Sequence, residues 1–165
     1  MPLPTHDIMD FADKLGTGPG DQRPDAINLA DVPSMIGRDT NVTMSGLRYV
    51  IVREGDGDVV ETGDTIEVDY AGYLSDGSVF DTSVPEVGAA NDFDRGGYPF
   101  EPISFVAGTG QVIRGWDEGL VGMRVGDVRR LIIPSDLAYG SRGIDGVIPP
   151  NATLIFDVHV LSTTR

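Results

Sequence analysis

The chain reads as an α+β domain, an antiparallel sheet covered on one face by a single helix, and two observations carry that reading. Residues 65–74 and 153–161 alternate with a period of two. Ile66, Val68, Tyr70 and Leu74 share one face opposite Glu67 and Asp69, while Leu154, Phe156, Val158 and Val160 form another apolar face. Between these strands a single stripe, Val112, Trp116, Leu120 and Met123, has helical spacing. Gly115 and Gly119 sit in that stripe and would ordinarily break a helix. Beside the chain's one tryptophan they imply a helix laid close against a sheet, its indole facing a shallow cavity. A length of 165 residues gives room for one domain and a tail, and 40% apolar residues can supply a core.

Taken in order, residues 1–45 have the composition of a flexible tail: Pro2, Pro4, Pro19, Pro24 and Pro33 alternate with Gly16, Gly18, Gly20 and Gly37. Such a mixture buries too little apolar surface to offset chain entropy, so the tail is not expected to join the core. One island stands out, with Ile8, Phe11, Ala12 and Leu15 at helical spacing between Asp7 and Gly16, but a helix so short does not hold alone in water. The domain proper, residues 46–165, opens with a strand at 47–53. The acidic turn at 54–58 has a calcium-like spacing yet lacks the glycine and glutamate of an EF-hand loop. Asp76-Gly77 marks a hairpin turn into Val79-Phe80-Asp81. Residues 82–101, rich in glycine and acids and without periodicity, read as a long inserted loop. Short strands follow at 103–106 and 128–133, the second ended by Pro134, and 153–161 closes the sheet.

Charge narrows the function. A formal net charge of −14 and a pI near 4.2 repel phosphate backbones, so no nucleic-acid partner is expected. Lys14 is the only lysine; an acidic surface poor in lysine suits high salt, and a GC-rich genome gives the same arginine bias. Cysteine is absent and His6 and His159 are isolated, so neither a metal nor a cofactor is expected. No apolar run reaches membrane-span length, and residues 1–30 lack the pattern of a signal peptide. The expectation is a cytoplasmic monomer, with a periplasmic location left open if a signal was removed ahead of residue 1. No nucleophile elbow, phosphate loop or dinucleotide fingerprint occurs. An enzyme built from these residues works without a covalent intermediate.

Three motifs then act together. Gln111-Val112-Ile113-Arg114-Gly115-Trp116, then Ala138-Tyr139-Gly140, then the run from Val147-Ile148-Pro149-Pro150 through Phe156-Asp157-Val158 occur in an order that resembles the FKBP family, the rapamycin-binding peptidyl-prolyl cis–trans isomerases. The resemblance covers roughly residues 46–162. It implies a strongly twisted sheet wrapped around one short helix, and a cofactor-independent isomerase acting on Xaa-Pro bonds of flexible or folding chains. Proline-containing polypeptides are the implied partners and macrolides the implied ligands. By the same resemblance Trp116 is the floor of a proline pocket, with Tyr70, Phe80 and Phe156 as walls and Val112 and Ile113 as its apolar side. The Ile113 N–H and the Tyr139 phenol correspond to hydrogen-bond donors, Asp81 to a carboxylate facing the pocket, and Val147 and Ile148 to an overhanging loop. Taken singly, Tyr70, Phe156 and Trp116 also read as core residues and Asp81 as a strand-end cap. The ordered set favours the pocket.

The chain departs from the family pattern in three places. In Pro102-Ile103-Ser104-Phe105, Ile103 stands for the usual second phenylalanine of the family's Pro-Phe-x-Phe segment, Ile144 replaces the aromatic or histidine of the overhanging loop, and the loop after Asp81 is longer by roughly a dozen residues. That insertion leaves open whether Arg95 is the arginine that pairs with Asp81. Two rival readings follow: a catalytically weak interaction module, and a chaperone that holds chains on residues 82–101. The second wants an exposed apolar surface, whereas Val84, Val87 and Phe93 are scattered among glycines and acids.

Overall fold

The computed structural model describes residues 29–31 and 39–165; the short helix expected at 8–15 lies outside them. Among the described residues, seven strands form one antiparallel sheet. They are β1 (Asn41–Val42), β2 (Arg48–Arg53), β3 (Thr65–Tyr73), β4 (Val79–Thr82), β5 (Ile103–Val106), β6 (Val128–Ile133) and β7 (Leu154–Thr164). The spatial order is β1-β2-β6-β7-β3-β4, with β5 also paired to β3. Helix α1 (Pro85–Ala90) follows β4, and α2 (Arg114–Leu120) follows β5. The α+β class expected from the alternation is the one observed.

Registers explain how one sheet makes two cores. Successive side chains of a strand point to opposite faces. Leu131 and Ile133 of β6, Leu154, Phe156, Val158 and Val160 of β7, and Ile66, Val68 and Tyr70 of β3 gather on the front with Trp116 and Leu120. Val128 and Ile132, Ile155, Ala71 and Tyr73 fall on the back with Val50 and Val52 of β2. The front is closed by α2, which the two glycines bring close. A Cβ on Gly115 would sit 2.5 Å from Ile133 Cγ2, and one on Gly119 would sit 3.0 Å from Leu131 Cδ1. The hairpin between β3 and β4 turns on Gly77 at φ +89°, while Asp76 Oδ1 accepts from both the N–H and the hydroxyl of Ser78. Those bonds hold the Asp76 carboxyl below its ordinary range, the hydroxyl bond contributing most.

Four expectations need correction. The stripe Val112 to Met123 is helical only over Arg114–Leu120; Ile113 is its N-cap, and Met123 is a core residue just beyond. The last strand continues to Thr164, because Ser162, Thr163 and Thr164 pair with Glu67, Ile66 and Thr65. The inserted segment is not structureless: Pro85–Ala90 is an α-helix with proline in its first turn and Glu86 beside it, a favourable N-terminal pair. Finally, pieces of the first 45 residues do join the fold. Leu29–Asp31 forms a 3-10 turn whose Leu29 and Ala30 are buried in the back core, and Asn41–Val42 is a strand paired with β2.

The back core also holds an ion pair. Arg130 Nε and Nη2 donate to the two carboxylate oxygens of Asp157 at 2.7 and 2.8 Å, and the side chains are 1% and 0% exposed. Such forked geometry is what makes a buried charge tolerable.

Candidate active site

The front core does not close over its own rings. A cleft of about 260 Å³ opens there, lined by Tyr70, Phe80, Asp81, Ile103, Gln111, Val112, Ile113, Trp116, Tyr139 and Phe156. Its aromatic floor is built edge to face, the arrangement that the ring quadrupoles favour. Trp116 meets Tyr70 at 5.4 Å and 72°, and Phe156 at 5.2 Å and 83°. Phe80 meets Phe156 at 5.4 Å and 87°. Gly72 makes this wall possible, since a Cβ there would lie 2.7 Å from Phe80 and 2.8 Å from Phe156. Nothing in the alternation of β3 marked that glycine, because its role is set by rings on two other strands.

Polar groups enter from three sides. Asp81, at the end of β4, accepts the Tyr70 phenol on Oδ2 at 2.6 Å and Arg95 Nε on Oδ1 at 3.1 Å. Its Oδ1 also accepts the Thr82 N–H at 2.9 Å. Arg95 is therefore the partner whose register the sequence left open, and it reaches Asp81 across the insertion. Burial first, and then the bond to Asp81, push the Tyr70 phenol well above its ordinary range. Burial and the charge of Asp81 raise Tyr139 in the same direction. Both phenols stay protonated at neutral pH and remain donors.

The donors differ in what they already hold. Tyr70 is engaged by Asp81. Tyr139 is 38% exposed at the mouth of the cleft, and its hydroxyl bonds to none of the described residues. The Ile113 carbonyl accepts the Trp116 and Asp117 N–H groups and so starts α2, whereas its own N–H is unengaged among the described residues. Helix start and open donor are thus the same residue. The Trp116 indole N–H, buried in the floor, also lacks a partner among the described residues.

Nine of the eleven site residues read from the sequence come together here: Tyr70, Phe80, Asp81, Ile103, Val112, Ile113, Trp116, Tyr139 and Phe156. Val147 and Ile148 do not line the cleft. Ile148 is 4% exposed in the front core, held by a bridge to Ile144, while Val147 is 46% exposed. An overhanging loop buries one of two neighbours and presents the other to solvent, and the sequence does not say which. Gln111 lines the cleft and was not anticipated; its Oε1 accepts the Val106 N–H at 2.9 Å. The signal was its place directly ahead of Val112-Ile113.

Comparison with known proteins agrees with this geometry. Residues 57–161 match the family model described as FKBP-type peptidyl-prolyl cis-trans isomerase. FK506-binding protein 1 of Dictyostelium discoideum is 43% identical over 117 residues, 71% of this chain and 97% of that protein. Peptidyl-prolyl cis-trans isomerase FPR2 of Saccharomyces cerevisiae is 49% identical over 100 residues, 60% of this chain and 64% of that protein. The crystal structure of FkpA from Escherichia coli superposes with a TM-score of 0.63 at 36% identity, covering 79% of this chain and 54% of that one. With an aromatic cleft and two open donors, and with that likeness over most of its length, the chain belongs to the FKBP-type peptidyl-prolyl cis-trans isomerases.

Proposed function

We propose that the Xaa-Pro bond turns in the cleft over Trp116, with the proline ring on the indole and its flanking carbonyls on the two open donors. The observation that carries this reading is the pairing of an aromatic floor with donors that no described residue occupies. The barrier to rotation, about 18–20 kcal/mol, comes from amide resonance. Resonance separates charge, and water stabilises that separated charge in the planar bond. A dry aromatic cleft withdraws this help and favours the twisted, less dipolar transition state. A thousandfold acceleration needs only about 4 kcal/mol. The Ile113 N–H and the Tyr139 hydroxyl supply hydrogen bonds within that setting. Asp81 and Tyr70 hold the wall in shape, and Arg95 offsets the carboxylate charge beside an apolar site.

The apolar walls favour a bulky apolar residue before proline. A protease-free peptide assay tests this: Leu-Pro substrates turn over several-fold faster than Glu-Pro, and equal rates would remove Ile103 and Phe80 from the substrate wall. Relatives carry the name FK506-binding protein. We extend that ligand class to this chain, with weaker affinity because Ile103 offers no ring. The chain acts as a monomer in this reading, and its location is taken to be cytoplasmic.

A further inference from the structure

We propose that helix α1 and the N-terminal turn Leu29–Asp31 form a brace that positions the Arg95–Asp81 pair, and that Phe100 is the positioning residue through which the brace acts. The inserted segment is anchored on the back of the sheet, where Val84 and Val87 are buried with Leu29 and Ala30. From that anchor contacts lead to the cleft. A Cβ on Gly88 of α1 would fall 2.8 Å from two atoms of the Phe100 ring, so the ring lies directly on the helix backbone. The Phe93 N–H bonds to the Gly88 carbonyl at 2.8 Å, which fixes the near end of the same segment on α1. Phe100 follows Pro99, whose carbonyl accepts Arg95 Nη1, while Arg95 Nε holds Asp81. One guanidinium is thus tied at one end to the braced loop and at the other to the cleft.

Nothing else among the described residues ties the Arg95 side chain, which is 23% exposed. Where Pro99 sits therefore decides where Arg95 sits. Arg95, together with the Thr82 N–H on the same oxygen, sets how Asp81 faces Tyr70 and the substrate. The exposed glycines Gly96 and Gly97, both at positive φ, lie in a turn whose Gly96 N–H bonds to Asp94 Oδ1 at 2.6 Å and whose Tyr98 N–H bonds to the Arg95 carbonyl at 3.4 Å, and the Phe100 seat on α1 fixes the far end of that turn.

This inference rests on the reading of the cleft as the catalytic site, and a double-mutant cycle separates the two. The variants are Phe100→Ala, Arg95→Met and their combination, in the full chain, assayed for kcat/KM on a Leu-Pro peptide below their melting midpoints. Phe100→Ala and Arg95→Met are each expected to lower kcat/KM by about three- to tenfold, and the double variant to fall no more than about twofold below Arg95→Met alone. Phe100→Leu, which keeps an apolar side chain against Gly88, is expected to restore activity to within about twofold of the parent. Multiplicative losses in the double variant would overturn the brace, as would a Phe100→Ala protein of unchanged kcat/KM. An Arg95→Met protein of full activity would instead count against the role given to Asp81 and Arg95 in the cleft.

Discussion

The two faces of one sheet solve opposite problems. The front face is ringed by aromatic side chains, and α2 covers it only in part, leaving a cleft with unengaged donors. The back face is aliphatic apart from Tyr73, carries a fully buried ion pair, and is capped by the Leu29–Asp31 turn and α1. The comparison teaches where each kind of polar group can be kept. On the back, charge is matched within the chain by a forked Arg130–Asp157 pair. On the front, the donors of Ile113 and Tyr139 stay open toward solvent, where a ligand can reach them. A front face capped like the back would be more stable and unable to bind.

The largest expected effects contrast the faces directly. Arg130→Met leaves Asp157 buried and unpaired and should destabilise by about 3–5 kcal/mol. Trp116→Ala should cost a similar ~3–5 kcal/mol through lost packing. Urea unfolding measures both. Their activities separate them: Arg130→Met should keep kcat/KM per folded molecule within about twofold, and Trp116→Ala should lose most of it. Equal activity losses would collapse the distinction between the faces.

Next comes the cap itself. Leu29 is 1% exposed, so Leu29→Ala should cost about 2–4 kcal/mol, a result that a purely flexible residue 1–45 segment could not produce. Chemical denaturation of the full chain checks it.

Alkaline pH tests both faces together. The phenols of Tyr70 on the front and Tyr73 on the back are raised above their ordinary range, chiefly by burial. In the unfolded chain they ionise near pH ~10. Above that pH the unfolded state holds fewer protons than the native state, so stability is complete below ~10 and falls as pH rises further. Tyr73→Phe should flatten this fall in a melting series from pH 8 to about 11. An unchanged slope would mean that the back-face phenol ionises without loss of packing.

A smaller effect isolates the front. Tyr139→Phe removes a half-exposed hydroxyl without a bond among the described residues, so the melting temperature should hold while kcat/KM falls several-fold. A drop in melting temperature of many degrees would move that hydroxyl from catalysis to structure. The smallest change belongs to Ile103, 37% exposed on the wall. Ile103→Phe should strengthen macrolide binding by about 0.5–1.5 kcal/mol through ring contacts, with less effect on short peptides. Titration of Trp116 fluorescence reads it.

Much of this molecule was legible in one dimension. Alternation in β3 and β7 is a local property of successive side chains, and it assigned the strands and their buried faces before any contact was known. Gly115 and Gly119 announced the close approach of α2, because a missing side chain beside a tryptophan has few other uses. The family resemblance that the three motifs carry then named nine residues that meet in one cleft.

What the sequence could not settle depended on partners far along the chain. Whether 82–101 is loop or helix turned on an apolar surface for Val84 and Val87, and that surface exists only after β2, β3, β6 and β7 are paired. The same surface buries Leu29, although the composition around it argues for a tail, because burial energy follows the face that is offered rather than the neighbours in sequence. Arg95 could be matched with Asp81 only once the insertion was folded back across β4. Local pattern determined the main strands and the place of the central helix, and the family resemblance pointed to the cleft. Tertiary structure alone decided the second core, the partner of Asp81, and the burial of Ile148 rather than Val147, since each requires atoms that only folding brings within reach.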